Sequence, residues 1–317
     1  MIYVVIPTYN SAKFVGACLE SLMNDGTPNK SIIVVDDCSS DDTAQVVRNF
    51  NVIFVRQRKR LGFAGNNNTG IRCALSDKKT RFIVLLNSDT IVTPDWLNRM
   101  LREMESDPKV GIVGPKTLRF DKRSIDTTGQ NFHYRLGAAE NRGSGELDCG
   151  QYDDKTDVFG VQFSCALLRR EMVEQIGLLD DKMFLYVEDV DYCIRARICG
   201  WKVVYCPSSL IYHYGGGSGE NARRWMRRYG ISNRLRLVLK NYESLKLGFF
   251  GFAFCILAIF ASIAKGDLDS IPPYIYAILW NILNLPIKER MEVQRKRKYN
   301  DSAFSKYSVG GTRWWHW

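Results

Sequence analysis

The first 115 residues switch repeatedly between two hydrophobic periods, and few folds accommodate such switching. Short β-branched runs occur at Ile2–Ile6, Ile32–Val35, Val52–Val55, Phe82–Leu86 and Val110–Val113. They are apolar throughout and bounded by turn residues, the pattern of strands buried on both faces. Between them the period is helical. Val15, Cys18, Leu19, Leu22 and Met23 fall at i, i+3, i+4, i+7 and i+8. Leu97, Met100, Leu101 and Met104 repeat the pattern, with Pro94 near the helix start, where a missing N–H costs little. The alternation predicts βαβ units and an α/β fold with a Rossmann-like, mostly parallel sheet between layers of helices. In such sheets ligands sit at the carboxyl ends of the strands.

Residues 119–160 are polar and glycine-rich and lack a sustained period, which predicts a long functional loop. The pattern resumes at Val161–Leu168. Helices are expected near Glu171–Ile176 and from Val190 to Ile198, and strands at Lys202–Tyr205 and Leu210–Tyr212.

The net charge of +10 is one-sided. Residues 1–218 hold 27 Lys/Arg against 27 Asp/Glu, whereas residues 219–317 hold 17 against 7. This predicts a neutral body over 1–218, with a ligand-binding half at about 1–115 and a second half at about 116–218. A basic C-terminal region, 219–317, follows it. A neutral body excludes a general nucleic-acid binder, whose positive surface spreads over the fold. The nine cysteines are odd in number and none forms CxxC, which excludes a zinc ribbon and fits a reducing cytoplasm. Met1 leads straight into a strand-like run rather than a signal peptide.

Two uncharged stretches, 247–264 and 270–287, lie in the basic region. Eighteen helical residues span about 27 Å, just short of a hydrocarbon core of about 30 Å. Pro272, Pro273, Pro286, Asn281 and Asn284 argue against a deep crossing by the second stretch. The expectation is helices lying in the interface of an anionic membrane, on its cytoplasmic face. A transmembrane hairpin is an alternative, and so is a helical subdomain or homodimer face.

Four polar clusters stand at the ends of the strand-like runs. Asp36-Asp37 begins Asp36–Thr43, able to accept from a base or ribose, or to cap the next helix through Ser40 or Asp41. Leu61–Gly70 is a glycine loop entering a helix, preceded by Arg56, Arg58, Lys59 and Arg60. It offers either backbone N–H groups to an anion or a tight turn. Asn87-Ser88-Asp89 is a degenerate D-x-D element whose Asp suits a hard divalent cation. Glu188-Asp189-Val190-Asp191 opens a helix, where the macrodipole favours carboxylates and where Asp189 is placed to serve as a general base. His213, flanked by Tyr212 and Tyr214, is either structural or a further metal ligand.

The order and spacing of these clusters resemble glycosyltransferase family 2. The resemblance runs through Val5–Asn10, Val34–Ser39, Gly62–Asn67, Leu86–Thr90, Phe184–Arg195, Gly200–Lys202 and His213, and covers roughly residues 2–240. It is most similar to the inverting rhamnosyltransferase-like and galactofuranosyltransferase-like members. The resemblance implies a GT-A fold and transfer of a sugar from a nucleotide-diphospho-sugar, dTDP-rhamnose or a UDP-sugar. It implies an acceptor that is a polysaccharide or linked to a polyprenyl diphosphate. It assigns Pro7, Thr8 and Asp37 to base and ribose, and puts Asn10, Asp36, Gly62, Asn67, Asn87 and Ser88 in the same nucleotide-sugar site. Asp89 and His213 are implied ligands of Mg²⁺ or Mn²⁺, Asp189 the catalytic base, and Glu188 and Trp201 the acceptor side. Arg60, Asn66 and Asn87 depart from the family pattern. Asn221–Trp225 approaches the QxxRW element of processive members, but Asn replaces Gln, and the following residues match the non-processive branch. The competing implication is a nucleotide-sugar-binding protein without turnover.

Overall fold

The computed structural model describes residues 1–215 and 222–309. The glycines at 216–219 and Asn221 lie outside the described residues. The first half runs β1 (Ile2–Thr8), α1 (Ala12–Met23), β2 (Lys30–Asp36), α2 (Thr43–Val47), β3 (Ile53–Arg56), α3 (Gly62–Ser76), β4 (Phe82–Leu86), β5 (Thr90–Val92), α4 (Trp96–Ser106) and β6 (Val110–Arg119). The second continues with β7 (Ile125–Thr127), β8 (Gln130–His133), β9 (Ala138–Asn141), β10 (Cys165–Arg169), α5 (Arg170–Ile176), α6 (Glu188–Ile198) and β11 (Lys202–His213). Five helices close the chain: α7 (Ala222–Asn241), α8 (Lys246–Lys265), α9 (Ile271–Leu283), α10 (Ile287–Lys296) and α11 (Ser302–Ser305).

One large sheet has the order β3-β2-β1-β4-β10-β6-β11-β5, with β7 paired to β6. β1, β2, β3, β4, β6 and β11 point the same way, and β5, β7 and β10 run against them. The expected mostly parallel α/β sheet is therefore present. Alternation along each strand sends side chains to opposite faces. Val4, Ile6, Val84 and Leu86 pack with α1 and α4 residues such as Leu19, Trp96 and Met100. Val5, Ile83 and Leu85 pack on the other face with Ile71 of α3, Met172 of α5 and Tyr192 of α6. α3 crosses β1 closely at Gly70, where an added Cβ would lie 2.2 Å from Val5 Cγ1.

Three expectations change. The 119–160 segment is not a structureless loop: β7 extends the sheet, and β8 and β9 form a separate hairpin. Its glycines serve turns between short polar strands, which carry no apolar period to read. The 61–70 segment is not a loop either. It is the first half of α3, whose buried Asn66, Asn67 and Asn68 hide a helical face behind polar residues. The two strand segments after Trp201 are one strand, with register shifts between Cys206 and Leu210.

The C-terminal helices share the core of the body. Leu237, Val238, Tyr242, Val293 and Phe304 belong to the same apolar cluster as Val5 and Leu85. Arg236 binds Asp180 at 2.8 Å and Glu289 at 2.9 Å, and Lys240 binds Asp180 at 2.6 Å and Asp191 at 2.7 Å. α8 differs. Of its 20 residues only Gly248, Cys255 and Ser262, one per seven, are buried. It is the one described helix long and apolar enough to cross a membrane. All nine cysteines are free.

Candidate active site

Strand direction decides where the polar clusters meet. β1 has β2 on one side and β4 on the other, so the crossovers diverge there and leave a crevice beyond the carboxyl ends. Thr8, Asp36, Asn87–Asp89 and His213 all sit at that edge, at the ends of β1, β2, β4 and β11.

Around β1 and β2 much of the polar capacity is spent internally. Asp36 is fully buried and accepts from Thr8 Oγ1 at 3.2 Å, the Ser39 amide at 3.1 Å and the Ser39 hydroxyl. Asp37 accepts from the amides of Leu61 at 2.7 Å and Gly62 at 3.0 Å, capping α3, with Arg60 at 3.7 Å. The Gly62 amide is thus taken by a carboxylate rather than offered to an anion. Gly62 has a φ of +71°, and a Cβ there would lie 2.4 Å from the Phe184 carbonyl. Asn67 is buried and its Nδ2 donates to Phe63 O at 3.0 Å. Asn10, also left-handed, takes the Ser40 amide on Oδ1 at 2.9 Å. Pro7 lies in β1, paired to Val35. Arg60 stacks its guanidinium 3.4 Å over Tyr9. The arginine therefore closes this end of the crevice with a flat cation–aromatic surface.

The β4 and β11 ends converge on an imidazole. His213 Nε2 lies 3.3 Å from Asp89 Oδ1 and 3.4 Å from Asn87 Nδ2, and Nδ1 lies 2.9 Å from Asp126 Oδ2. Register explains the meeting: His213 pairs with Thr90, the residue after Asp89. Burial opposes protonation of His213, but Asp126 and Asp89 outweigh it and push the imidazole up to about 10. Ser88 donates its hydroxyl to Ser11 at 3.0 Å. Among the described residues no three His, Cys, Asp or Glu side chains form a metal cage. The pair Asp89–His213 nonetheless has the donor chemistry for a divalent ion that keeps other ligands from water and phosphate. Asp126 on Nδ1 stands where an outer carboxylate would orient the imidazole if His213 took a metal. Asp126 went unrecognised because it lies in the segment read as a loop.

The third group stands at the start of α6. Asp189 Oδ2 accepts from Gln130 Nε2 at 2.8 Å and Oδ1 from the Val190 amide at 2.8 Å. Burial raises its pKa more than these hydrogen bonds lower it. Glu188 is buried with Oε2 unpartnered, and burial together with the Asp189 charge raises it as well. The preceding turn is held in an unfavourable conformation. Phe184, Tyr186 and Val187 all have φ between +58° and +73°, a region side chains disfavour, β-branched ones most. Asn233 of α7 restrains it, with Nδ2 at 2.7, 2.9 and 2.8 Å from the carbonyls of Met183, Leu185 and Tyr186.

Asp189 lines a cleft of about 270 Å³ together with residues of α7, α8 and α9. Gln130 and Asn233 also went unrecognised, since only folding brings the β8 strand and α7 to α6. Trp201 is not brought to this edge. It precedes the opposite end of β11, its Nε1 donating to Gln175 at 2.6 Å. A strand of that length puts it up to ~40 Å from His213 at about 3.3 Å per residue.

Residues 3–177 match the sequence model of Glycosyl transferase family 2. A dolichyl N-acetyl-α-D-glucosaminyl phosphate 3-β-D-2,3-diacetamido-2,3-dideoxy-β-D-glucuronosyltransferase of Methanococcus voltae is 26% identical over 314 residues, 91% of this chain and 88% of that protein. A low-salt glycan biosynthesis hexosyltransferase of Haloferax volcanii is 25% identical over 171 residues, 52% of each chain. Other curated relatives are longer: this chain spans 25% of one and 52% of another. A mannosyltransferase of Pyrobaculum calidifontis, solved with GDP-mannose and Mn²⁺, superposes with a TM-score of 0.56 at 17% identity, over 93% of this chain and 85% of that one. That likeness is one of fold.

Proposed function

Since the chain belongs to glycosyl transferase family 2 and has its GT-A-like fold, we propose that it is an inverting glycosyltransferase working at a membrane surface. The donor is a nucleotide-diphospho-sugar, and the resemblance to rhamnosyltransferase-like and galactofuranosyltransferase-like members implies dTDP-rhamnose or a UDP-sugar. The acceptor is a sugar carried on a lipid phosphate. The observation that carries this reading is the position of Asp189: a carboxylate with a raised pKa, oriented by Gln130, in a cleft between the catalytic body and the apolar C-terminal helices. The Methanococcus voltae relative supports the acceptor class, since its name specifies a dolichyl phosphate-linked sugar.

In this reading Asp189 accepts the proton of the acceptor hydroxyl as the oxygen attacks the anomeric carbon. The sugar–phosphate bond breaks on the opposite face through an oxocarbenium-like state, so one displacement inverts the centre. Asn233 and the strained 184–187 turn fix the carboxylate in space, so little reorganisation precedes attack. Asp89 and His213 would hold the divalent ion, with Asp126 orienting the imidazole. The ion would supply positive charge to the departing diphosphate.

The exposed face of α8 supports attachment to a bilayer. Phe249, Phe250, Leu257 and Phe260 are each at least 65% exposed, and Lys246 and Lys265 flank them. Gly248 and Gly251 seat the first half of α8 against Leu239 and Leu235 of α7. That anchorage to the body favours a helix lying in the interface over one crossing it. The cytoplasmic leaflet is the assigned side, where anionic lipid meets the basic flanks.

The test is diphosphate release from dTDP-rhamnose, UDP-galactofuranose, UDP-glucose and GDP-mannose, with and without Mn²⁺, in wild type and Asp189→Asn. Release from one donor that vanishes in Asp189→Asn while nucleotide binding persists is the expected result. Undiminished turnover in the variant overturns the assignment of the base.

A further inference from the structure

The cleft beside Asp189 has a cationic wall that the catalytic groups do not account for. Arg227, Gly230 and Arg234 of α7 line it together. Residues seven apart lie almost on one helical face, about 10.5 Å along the axis. The two guanidinium groups therefore look into the same space. Arg234 forms no hydrogen bond or ion pair among the described residues, although arginines 195, 197 and 236 around it are all paired. Burial lowers its pKa, with only the weak opposing influence of Tyr274. Arg234 is half-buried, so its guanidinium, without a carboxylate partner, is partly withdrawn from water and still accessible to an anionic ligand. Among the described residues the one carboxylate lining the cleft is Asp189, set against Arg227 and Arg234.

Two further features say what fills the space. At Gly230, between the arginines, an added Cβ would meet nothing within 4 Å. The wall is open where other residues would project. Phe254 of α8 and Tyr274 of α9 also line the cleft, and Phe254 belongs to the exposed apolar face of α8. The cleft is thus anionophilic inside and apolar toward the proposed membrane. Guanidinium groups suit phosphate because they offer paired donors in a planar fork.

We propose that Arg234, with Arg227, binds the phosphate or diphosphate of a lipid-linked acceptor, its hydrocarbon leaving the cleft between α8 and α9 and its sugar reaching Asp189. This rests on the acceptor class proposed above and assigns the residues that select it. The spacing gives it a direction: phosphate at α7, sugar hydroxyl at α6.

The experiment uses the full chain in neutral detergent micelles and three probes: decyl phosphate, decyl glucoside and inorganic phosphate. Wild type should bind decyl phosphate at least tenfold more tightly than either other probe. Arg234→Gln should lose at least tenfold of the decyl phosphate affinity, with decyl glucoside unaffected. UDP affinity in the presence of Mn²⁺, retained in that variant, verifies the fold. Gly230→Leu, which fills the cleft and leaves both arginines, should weaken decyl phosphate alone. Unchanged decyl phosphate affinity in Arg234→Gln overturns the proposal. So does equal binding of inorganic phosphate, which would mark a free-anion site, or displacement of decyl phosphate by UDP, which would assign the arginines to the donor. The Asp189→Asn donor assay is independent of these probes, so failure of the transfer reading and failure of the phosphate assignment give different results.

Discussion

Gln130→Leu isolates what orients and tunes the proposed base. The Gln130 amide donates to Asp189 Oδ2 at 2.8 Å and is the side-chain donor beside the backbone amides that also hold this carboxylate. A hydrogen bond to an ionised acceptor contributes about 1.5–3 kcal/mol. At about 1.36 kcal/mol per pKa unit, its removal raises Asp189 by about 1–2 units. The proton acceptor is the carboxylate form, so a higher pKa moves the acid limb of activity to higher pH. The assay is kcat/KM for acceptor across about pH 5–9, which reports the free enzyme. Gln130→Leu should shift the acid limb upward by about 1–2 units and regain activity above it. Leucine also removes the unpartnered Gln130 Oε1, which offsets part of the cost of leaving Asp189 Oδ2 without its side-chain donor. A proportionate fall at every pH, with the limb unmoved, refutes the claim that this hydrogen bond sets the base's titration.

Further consequences follow from the same geometry. Asp126→Asn should weaken Mn²⁺-dependent UDP binding about 10–100-fold, as loss of an outer carboxylate does, read by calorimetry with and without the ion. Lys240→Met should destabilise the fold by about 3–5 kcal/mol in urea unfolding, because it leaves Asp180 and Asp191 buried with less charge compensation. Glu188 titrates above its unfolded value, so the folded state holds the extra proton between those two values. Its contribution is complete below the unfolded value and is lost as pH rises to the folded one. Wild-type stability should fall across that window, and Glu188→Gln should diminish the fall, leaving the part that Asp189 contributes. Asn233→Ala should lower kcat with little change in donor affinity, because the strained turn before Asp189 loses its clamp; an equal loss in donor binding would contradict a positioning role.

The strands at Phe82–Leu86 and Val110–Val113 and the helix at Ala12–Met23 were legible because each is long, periodic and buried. The motif ends were legible for the same reason: strand termini in a parallel sheet share one edge, which brought Asp89 and His213 together as expected. α3 was harder to read, since its buried face is built from asparagines that pay their desolvation through tertiary hydrogen bonds such as Asn66 to Val35 O and Asn68 to Leu179 O. The residues that complete the site share a reason for being hidden. Asp126 and Gln130 lie in a segment with no motif of its own, Asn233 and Arg234 lie in a stretch that resembles the non-processive branch without marking either as a site residue, and each matters through a partner or cleft tens of residues away.

What the sequence alone determined is local and periodic: the alternating elements, the carboxylates at their ends, and a basic C-terminal third with an apolar run. Its +10 charge suggested a neutral body with an appended basic region. Only the tertiary structure decided how that region engages the body. Buried Arg236 and Lys240 pair with Asp180 and Asp191, so part of the positive charge is neutralised across the fold rather than presented to solvent. Arg234, which has no carboxylate partner among the described residues, lines the cleft of Asp189. Pairing of charges is a property of distance in space, which composition and spacing along a chain do not carry.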